Sequence, residues 1–430
     1  MKTLIIKKGV LLILLAIFIS SVTYANLTGN EELIDTVNYT AYFGKVVNAE
    51  NSRTLPFATI EAVGSNIATV TNIDGEFTIK IDKSAEVTDL KVSYIGFSNK
   101  NVELSLFSND RTTTIELKPS SVQLREITIR PQDAMELIKD VLTNVRENYS
   151  SEPMMMRGFY RESIMRGRNY VSISEAVVDI FKGGYSNEFQ MDQVKLFKGR
   201  KSADVEKMDT VLFKVQGGPN TTILLDVVKN PYVLLSAEYF EIYDFVISDV
   251  ISIDNRLHYV VSFNQKQYVD EPFYNGKLYI DMDKLAITEA EFELNTENKE
   301  EAARLFIQRK PMGMTIIPEK AAYRAKYTIE EDRWYFTYAR AEVKFRVAWK
   351  KKLFHTTYST MSEVAITDRT FEGIEKFAAK ERFKRNDIMG EKVFIFFDQG
   401  FWEGYNVIEP DQSIENAIRR LNRKYLRRNG

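Results

Sequence analysis

The sequence predicts a mainly β protein with a few helices: a small β-sandwich near the N-terminus, followed by a larger curved antiparallel sheet with packed helices. Three observations carry this. Segment after segment alternates apolar and polar side chains with the two-residue period of a half-buried strand, as in Phe77, Ile79 and Ile81 around Thr78 and Lys80. Aromatic residues make up 12% of the chain, a share that favours strands over helices. One stretch, Ala134 to Val145, carries a clean helical stripe.

Taken in order, Lys2, Lys7 and Lys8 precede an apolar run from Val10 to Ile19, then small residues at Ser20, Ser21, Thr23 and Ala25. This is the plan of a secretory signal peptide, and cleavage is expected after Ala25. No later run reaches the ~18 apolar residues of a spanning helix. There is no cysteine, so disulfides, thiolate sites and an N-terminal lipid on cysteine are excluded. Export without disulfides fits a bacterial periplasm, with outer-membrane association as an extension of that reading.

The next strands are Ala58 to Val63, Phe77 to Ile81, Leu90 to Tyr94 and Thr113 to Leu117. Between two of them sits Asn72-Ile73-Asp74-Gly75, where Asp74 bonds to backbone amides and Gly75 takes positive φ. Short strands with tight turns form a closed sandwich better than an open sheet with unpaired edges. Gly44, Val46, Leu55, Pro56, Ala58, Thr59, Thr71, Asp74, Gly75, Phe77, Tyr94, Gly96 and Phe97 together resemble the carboxypeptidase-like regulatory domain. That resemblance implies a seven-stranded transthyretin-like sandwich over residues 41–118, with no catalytic residue of its own. It also implies a docking or stabilising role in an exported protein of a Gram-negative envelope.

Lys118 to Ser121 reads as a hinge and Leu124 to Ile129 as a linker strand, so residues 119–131 join the sandwich to a large domain over 132–370. Asp133 with Glu136 forms a capping box for a helix whose stripe is Ala134, Leu137, Ile138, Val141, Leu142 and Val145. This stripe is expected to dock on the sheet. From Met156 to Asp368 follow about ten strands, too many to stay flat and uncovered. They are Phe159 to Ile164, Val171 to Phe181, Val194 to Phe197, Tyr239 to Val250, Leu257 to Phe263, Lys277 to Met282, Ile287 to Leu294, Ala322 to Ile329, Trp334 to Val347 and Thr356 to Ile366. Asp254-Asn255 and Glu331-Asp332 are the expected hairpin tips, and helices are expected on one face of the sheet. Gly276 to Lys284 with Ala286 to Phe292 resembles a hairpin of periplasmic lipoprotein-carrier-like half-barrels, which implies a concave face for acyl chains. Residues 371–430 form a mixed region: a strand at Val393 to Phe397, an aromatic turn from Phe401 to Asn406, and a basic helix capped by Ser413.

The chemistry is bounded by exclusion. Fifty-eight basic against 60 acidic residues leave a net charge of −2, which argues against a nucleic-acid partner. His258 and His355 do not begin the His-x-x-Glu pattern that the zinc carboxypeptidase site resembles, so no peptidase, metal or cofactor is expected. Gly217 to Asn220 lacks the ending of a phosphate loop, and Asp281 with Asp283 reads as a turn. The expected function is non-catalytic: a docking sandwich, and a large sheet that binds an envelope protein or glycan. A carrier of lipid or another hydrophobic ligand is the alternative. Tyr279, Trp334, Tyr335, Trp402 and Tyr405 are the candidate ligand or partner surface.

Overall fold

In the computed structural model, residues 39–108, 111–120, 133–186, 190–204, 217–306, 312–350, 354–395 and 399–429 are described. The signal peptide and the linker strand from Leu124 to Ile129 lie outside them. Strands β1 Tyr39–Asn48, β2 Thr59–Ala62, β3 Ala68–Val70, β4 Glu76–Asp82, β5 Asp89–Ser93, β6 Lys100–Glu103 and β7 Thr113–Leu117 build the sandwich. One sheet has the order β4-β1-β7 and the other β3-β2-β5-β6. Alternation places Val46, Ile60, Phe77, Ile79, Leu90, Val92 and Ile115 between them, each worth about 1.5–3 kcal/mol when fully buried.

In the Asn72 to Gly75 turn, Asn72 Oδ1 accepts from the amides of Asp74 and Glu76, both at 2.9 Å. Gly75 has a φ of +76°, and a Cβ there would stand 2.7 Å from the Val46 carbonyl, so only glycine fits. Asp74 does accept from a backbone amide, but that of Gln412 at 3.0 Å, in the C-terminal helix.

The large sheet contains β8 Met154–Arg166, β9 Asn169–Lys182, β10 Gln193–Ala203, β11 Tyr243–Ile253, β12 Arg256–Gln265, β13 Tyr274–Asp281, β14 Ala286–Leu294, β15 Met314–Glu330, β16 Arg333–Trp349, β17 Thr356–Thr370 and β18 Phe394–Ile395. Its order is β11-β12-β13-β14-β15-β16-β17-β8-β9-β10-β18. All neighbours are antiparallel except β18, which runs parallel to β10. Asp254-Asn255 and Glu331-Asp332 have positive φ at both residues, the backbone that a two-residue hairpin needs.

Several boundaries differ from expectation: β8 starts at Met154 and β10 runs to Ala203, each beyond the expected strand. Ala237–Ile242 is a 3-10 helix, so β11 starts at Tyr243. Strand β15 begins at Met314, eight residues before the expected start; Pro318 sits at a register shift within it, where a missing amide donor is tolerated. Of the expected Val393 to Phe397 strand, Val393 precedes β18, Phe394 is 83% exposed, and Phe396 and Phe397 lie outside the described residues.

The α-helices among the described residues are α1 Ala134–Thr143, α2 Val145–Asn148, α3 Gly218–Ile223, α4 Lys299–Phe306, α5 Met389–Lys392 and α6 Gln412–Asn429. The α1 stripe, Ala134, Leu137, Ile138 and Val141, is buried in one hydrophobic cluster with Val178, Ile180, Leu278, Ile280 and Phe336 of the large sheet, and α1 lies against β11. Asp133 caps α1 by accepting from the Met135 amide at 2.8 Å. Glu136 turns outward to Lys139 at 2.7 Å instead of closing the capping box.

The expectation of helices on one face is corrected by α6. Its Ile414, Ala417 and Leu421 pack on Ile173, which has the opposite parity from Val178 in β9 and so points to the other face. The cap of α6 is Asp411, not Ser413: its Oδ1 accepts from the Ile414 amide at 2.8 Å and from the Ser413 hydroxyl at 2.6 Å. No helix among the described residues is long and apolar enough to cross a membrane.

Candidate functional site

The sandwich docks on the sheet face opposite α1, and this face carries charge in register. Pairing aligns Arg200, Glu175, Arg161, Glu363, Arg340, Arg324, Glu291 and Lys277 in one row from β10 to β13. Arg161 reaches Glu175 at 2.8 Å and Glu363 at 3.4 Å, and Arg200 reaches Glu175 at 2.9 Å. Arg340 reaches Glu363 at 2.7 Å and Glu342 at 2.5 Å, and Arg324 pairs with Glu291. Burial pushes the Glu175 carboxyl up, but Arg161 and Arg200 reverse this and hold it below the usual range.

The row has one like-charge step, Arg340 opposite Arg324, and like charges directly opposite destabilise a sheet. The sandwich supplies what covers it. The guanidinium carbons of Arg340 and Arg324 lie 4.9 and 5.4 Å from the Phe57 ring centroid, so a π face meets both cations. The ring stacks on Tyr338 at 5.9 Å, and the Phe57 carbonyl accepts from buried Lys326 at 2.6 Å.

Phe57 has a φ of +63°, a left-handed backbone that costs a residue with Cβ about 1–2 kcal/mol. The position is held by its contacts. Phe57→Ala is expected to destabilise the protein by about 1–2 kcal/mol, the size of a desolvated cation–π contact, while Phe57→Gly is milder because it relieves the backbone. Denaturant unfolding of the three proteins checks this; an alanine variant as stable as the parent would refute the role of the ring.

Beside Phe57 the row opens into a cleft of about 810 Å³. Arg340, Arg324, Glu291, Lys277 and Lys320 line it together with the amides of Asn264 and Asn275. A second set of bonds fixes the sandwich to the rest of the chain. Lys91 meets Asp254 at 2.6 Å, and Asn66 donates to the Arg369 carbonyl at 2.9 Å. The segment before α6 works as a strap: Thr78 donates to Glu409 at 2.7 Å, and Lys80 and Asn406 exchange two bonds at 2.7 and 2.9 Å.

The five aromatic residues expected to form a surface are separated. Tyr279 is buried on the sandwich side and donates to Glu291 at 3.3 Å, next to the charged row. Trp334 is buried in the α1 core, edge-on to His258 at 6.5 Å. Tyr335 is buried under the Arg369 guanidinium, 4.1 Å from its ring. Trp402 and Tyr405 belong to the strap, where Trp402 packs on Phe159 at 5.3 Å and Tyr405 lies 5.4 Å from Arg157.

His258 is buried, its Nδ1 2.9 Å from the Arg256 carbonyl, and burial pulls its pKa down. Asp281 Oδ1 accepts from the amides of Asp283 and Lys284 at 3.1 and 2.8 Å, as a turn residue does. Among the described residues no three His, Cys, Asp or Glu side chains cluster to hold a metal ion.

Sequence reasoning missed Phe57 and the charged row. No single strand displays the row, because it exists only once register is set. It also missed a polar network buried on the α1 side. There Lys182 pairs with Asp192 and Asp226, both at 2.6 Å, and Asp226 accepts from Tyr185 at 2.7 Å and Tyr327 at 2.8 Å.

Residues 42–129 match the family model of the CarboxypepD_reg-like domain. The comparison with curated proteins finds no match. Among solved structures, a DUF1329 family protein from Desulfovibrio piger ATCC 29098 is 10% identical, with a TM-score of 0.24 over 57% of this chain and 96% of its own. Lipovitellin is 9% identical, with a TM-score of 0.24 over 58% of this chain and 28% of its own. Likeness at that level carries nothing about ligands from those proteins to this one.

Proposed function

We propose that this is a non-catalytic, exported binding protein of the cell envelope, in which the regulatory-type sandwich is locked onto the large sheet and the cleft beside Phe57 receives a polar partner. The observation that carries the reading is the cleft itself. It lies where sandwich and sheet meet, a usual place for ligand sites, and its lining mixes cations, carboxylates and amides around one aromatic ring. Such a lining suits the hydroxyls and carboxylates of a glycan, or an extended polar peptide. Export is supported by the N-terminal leader pattern and the lack of cysteine. The carrier alternative needs an open concave face, whereas α1 and residues from Ile223 to Leu235 bury side chains against the apolar face of the sheet.

The test is binding of the chain from Asn26 onward to immobilised neutral and uronic-acid oligosaccharides and to charged peptides, beside Lys277→Glu and Lys320→Glu. Both lysines are exposed, so the fold should tolerate the changes. Supporting behaviour is binding that both variants weaken and salt reduces. Binding by neither class would overturn the reading.

A further inference from the structure

A second cleft, of about 710 Å³, lies at the β10 edge on the α1 side of the sheet. Its floor is apolar and buried, formed by Val194, Ile223 and Phe383. At the same cleft Met191 and Tyr232 are 48% and 51% exposed among the described residues. Lys384 and Arg385 line it too, and neither makes an ion pair among the described residues. The acids nearby are engaged elsewhere: Asp192 with Lys182 at 2.6 Å, Glu381 with Lys195 at 2.9 Å and Asp387 with Lys392 at 3.2 Å. Asp387 also accepts from the Lys384 amide at 2.9 Å, but neither cationic head is ion-paired among the described residues, and an apolar floor beside two such cations is complementary to a molecule with an apolar tail and an anionic head.

We infer that this cleft is a binding site for a small anionic amphiphile, its tail on Val194, Ile223 and Phe383 and its head between Lys384 and Arg385. The site is independent of the polar cleft beside Phe57, so either can fail alone. It also differs from a carrier cavity on the concave face, because it sits at the sheet edge and has room for a ligand of drug or fatty-acid size only.

Titration of the full chain with tetradecanoate, followed by calorimetry and native mass spectrometry, tests it beside two comparison probes. Tetradecyltrimethylammonium keeps the tail and reverses the head charge; hexanoate keeps the head and shortens the tail. The expected result is one tetradecanoate per chain, with each comparison probe weaker by about tenfold or more, the effect of losing about 1.4 kcal/mol. The double variant Lys384→Glu, Arg385→Glu should lower tetradecanoate affinity, and Leu224→Trp, at the half-buried rim, should block it. Equal binding of the cationic amphiphile would overturn the inference on unaltered protein, whether or not the variants fold. So would tetradecanoate binding that both folded variants leave unchanged.

Discussion

Arg161→Met is expected to destabilise the protein by about 3–5 kcal/mol, the usual consequence of removing one partner of a buried ion pair. Arg161 is 1% exposed, holds Glu175 and Glu363, and donates to the Ile408 carbonyl at 2.7 Å in the strap. Its loss leaves two buried carboxylates short of charge and cuts a bond between sheet and strap. The pH dependence is specific. The Glu175 carboxyl is held below its ordinary range in the folded state, so it adds stability above the unfolded pKa, and that stability is lost as pH falls through the folded value. In the variant the Glu175 carboxyl loses the guanidinium that holds it ionised and takes up a proton more readily. The deficit relative to the parent should therefore shrink in acid. Urea unfolding at pH 7 and pH 4 checks both points; a loss under 1 kcal/mol at pH 7 would show that the row is not a stabilising element.

Glu162→Gln is expected to act in the opposite sense and stabilise the protein at pH 8. Glu162 is buried, and among the described residues it makes no ion pair. Burial pushes its carboxyl up to about 7, offset in part by the Tyr160 hydroxyl at 2.8 Å and the Gly390 amide. A folded pKa above the unfolded one means that ionisation opposes folding: below pH 4.5 the group is neutral in both states, and stability falls as pH rises towards 7. From 4.5 to about 7, the shift corresponds to about 3 kcal/mol at 1.36 kcal/mol per unit. Glutamine removes that dependence. Stability of parent and variant measured across pH 4 to 8 should converge at the acid end and diverge at the alkaline end; parallel curves would exclude the effect. Neighbours in one strand, Arg161 and Glu162 face opposite sides of the sheet.

Much of the architecture is legible locally. The strands of the sandwich, the α1 stripe and the hairpin tips each depend on residues close in sequence, because a period of two, a period of 3.6 and a positive φ are properties of a few neighbouring residues. The candidate site is not of that kind. In the sequence Trp334, Tyr335 and Trp402 stand out only as large aromatic side chains, and such side chains fill cores as well as surfaces. Burial separates the two, and burial is not a property of the residue. Phe57, preceded by Pro56, looks like an ordinary turn residue until the sheet places Arg340 and Arg324 around its ring.

By itself, the sequence determined a mainly β chain with a regulatory-type sandwich ahead of a wide antiparallel sheet. Only the tertiary structure decided which strands are neighbours, and with that the charged row, the covering of its one like-charge step by Phe57, and both clefts. The physical reason is range. Alternation and turn chemistry act over a few residues, whereas Arg161 meets Glu363 across 202 residues and Lys326 meets Phe57 across 269, so their pairing is written only in the register of the folded sheet.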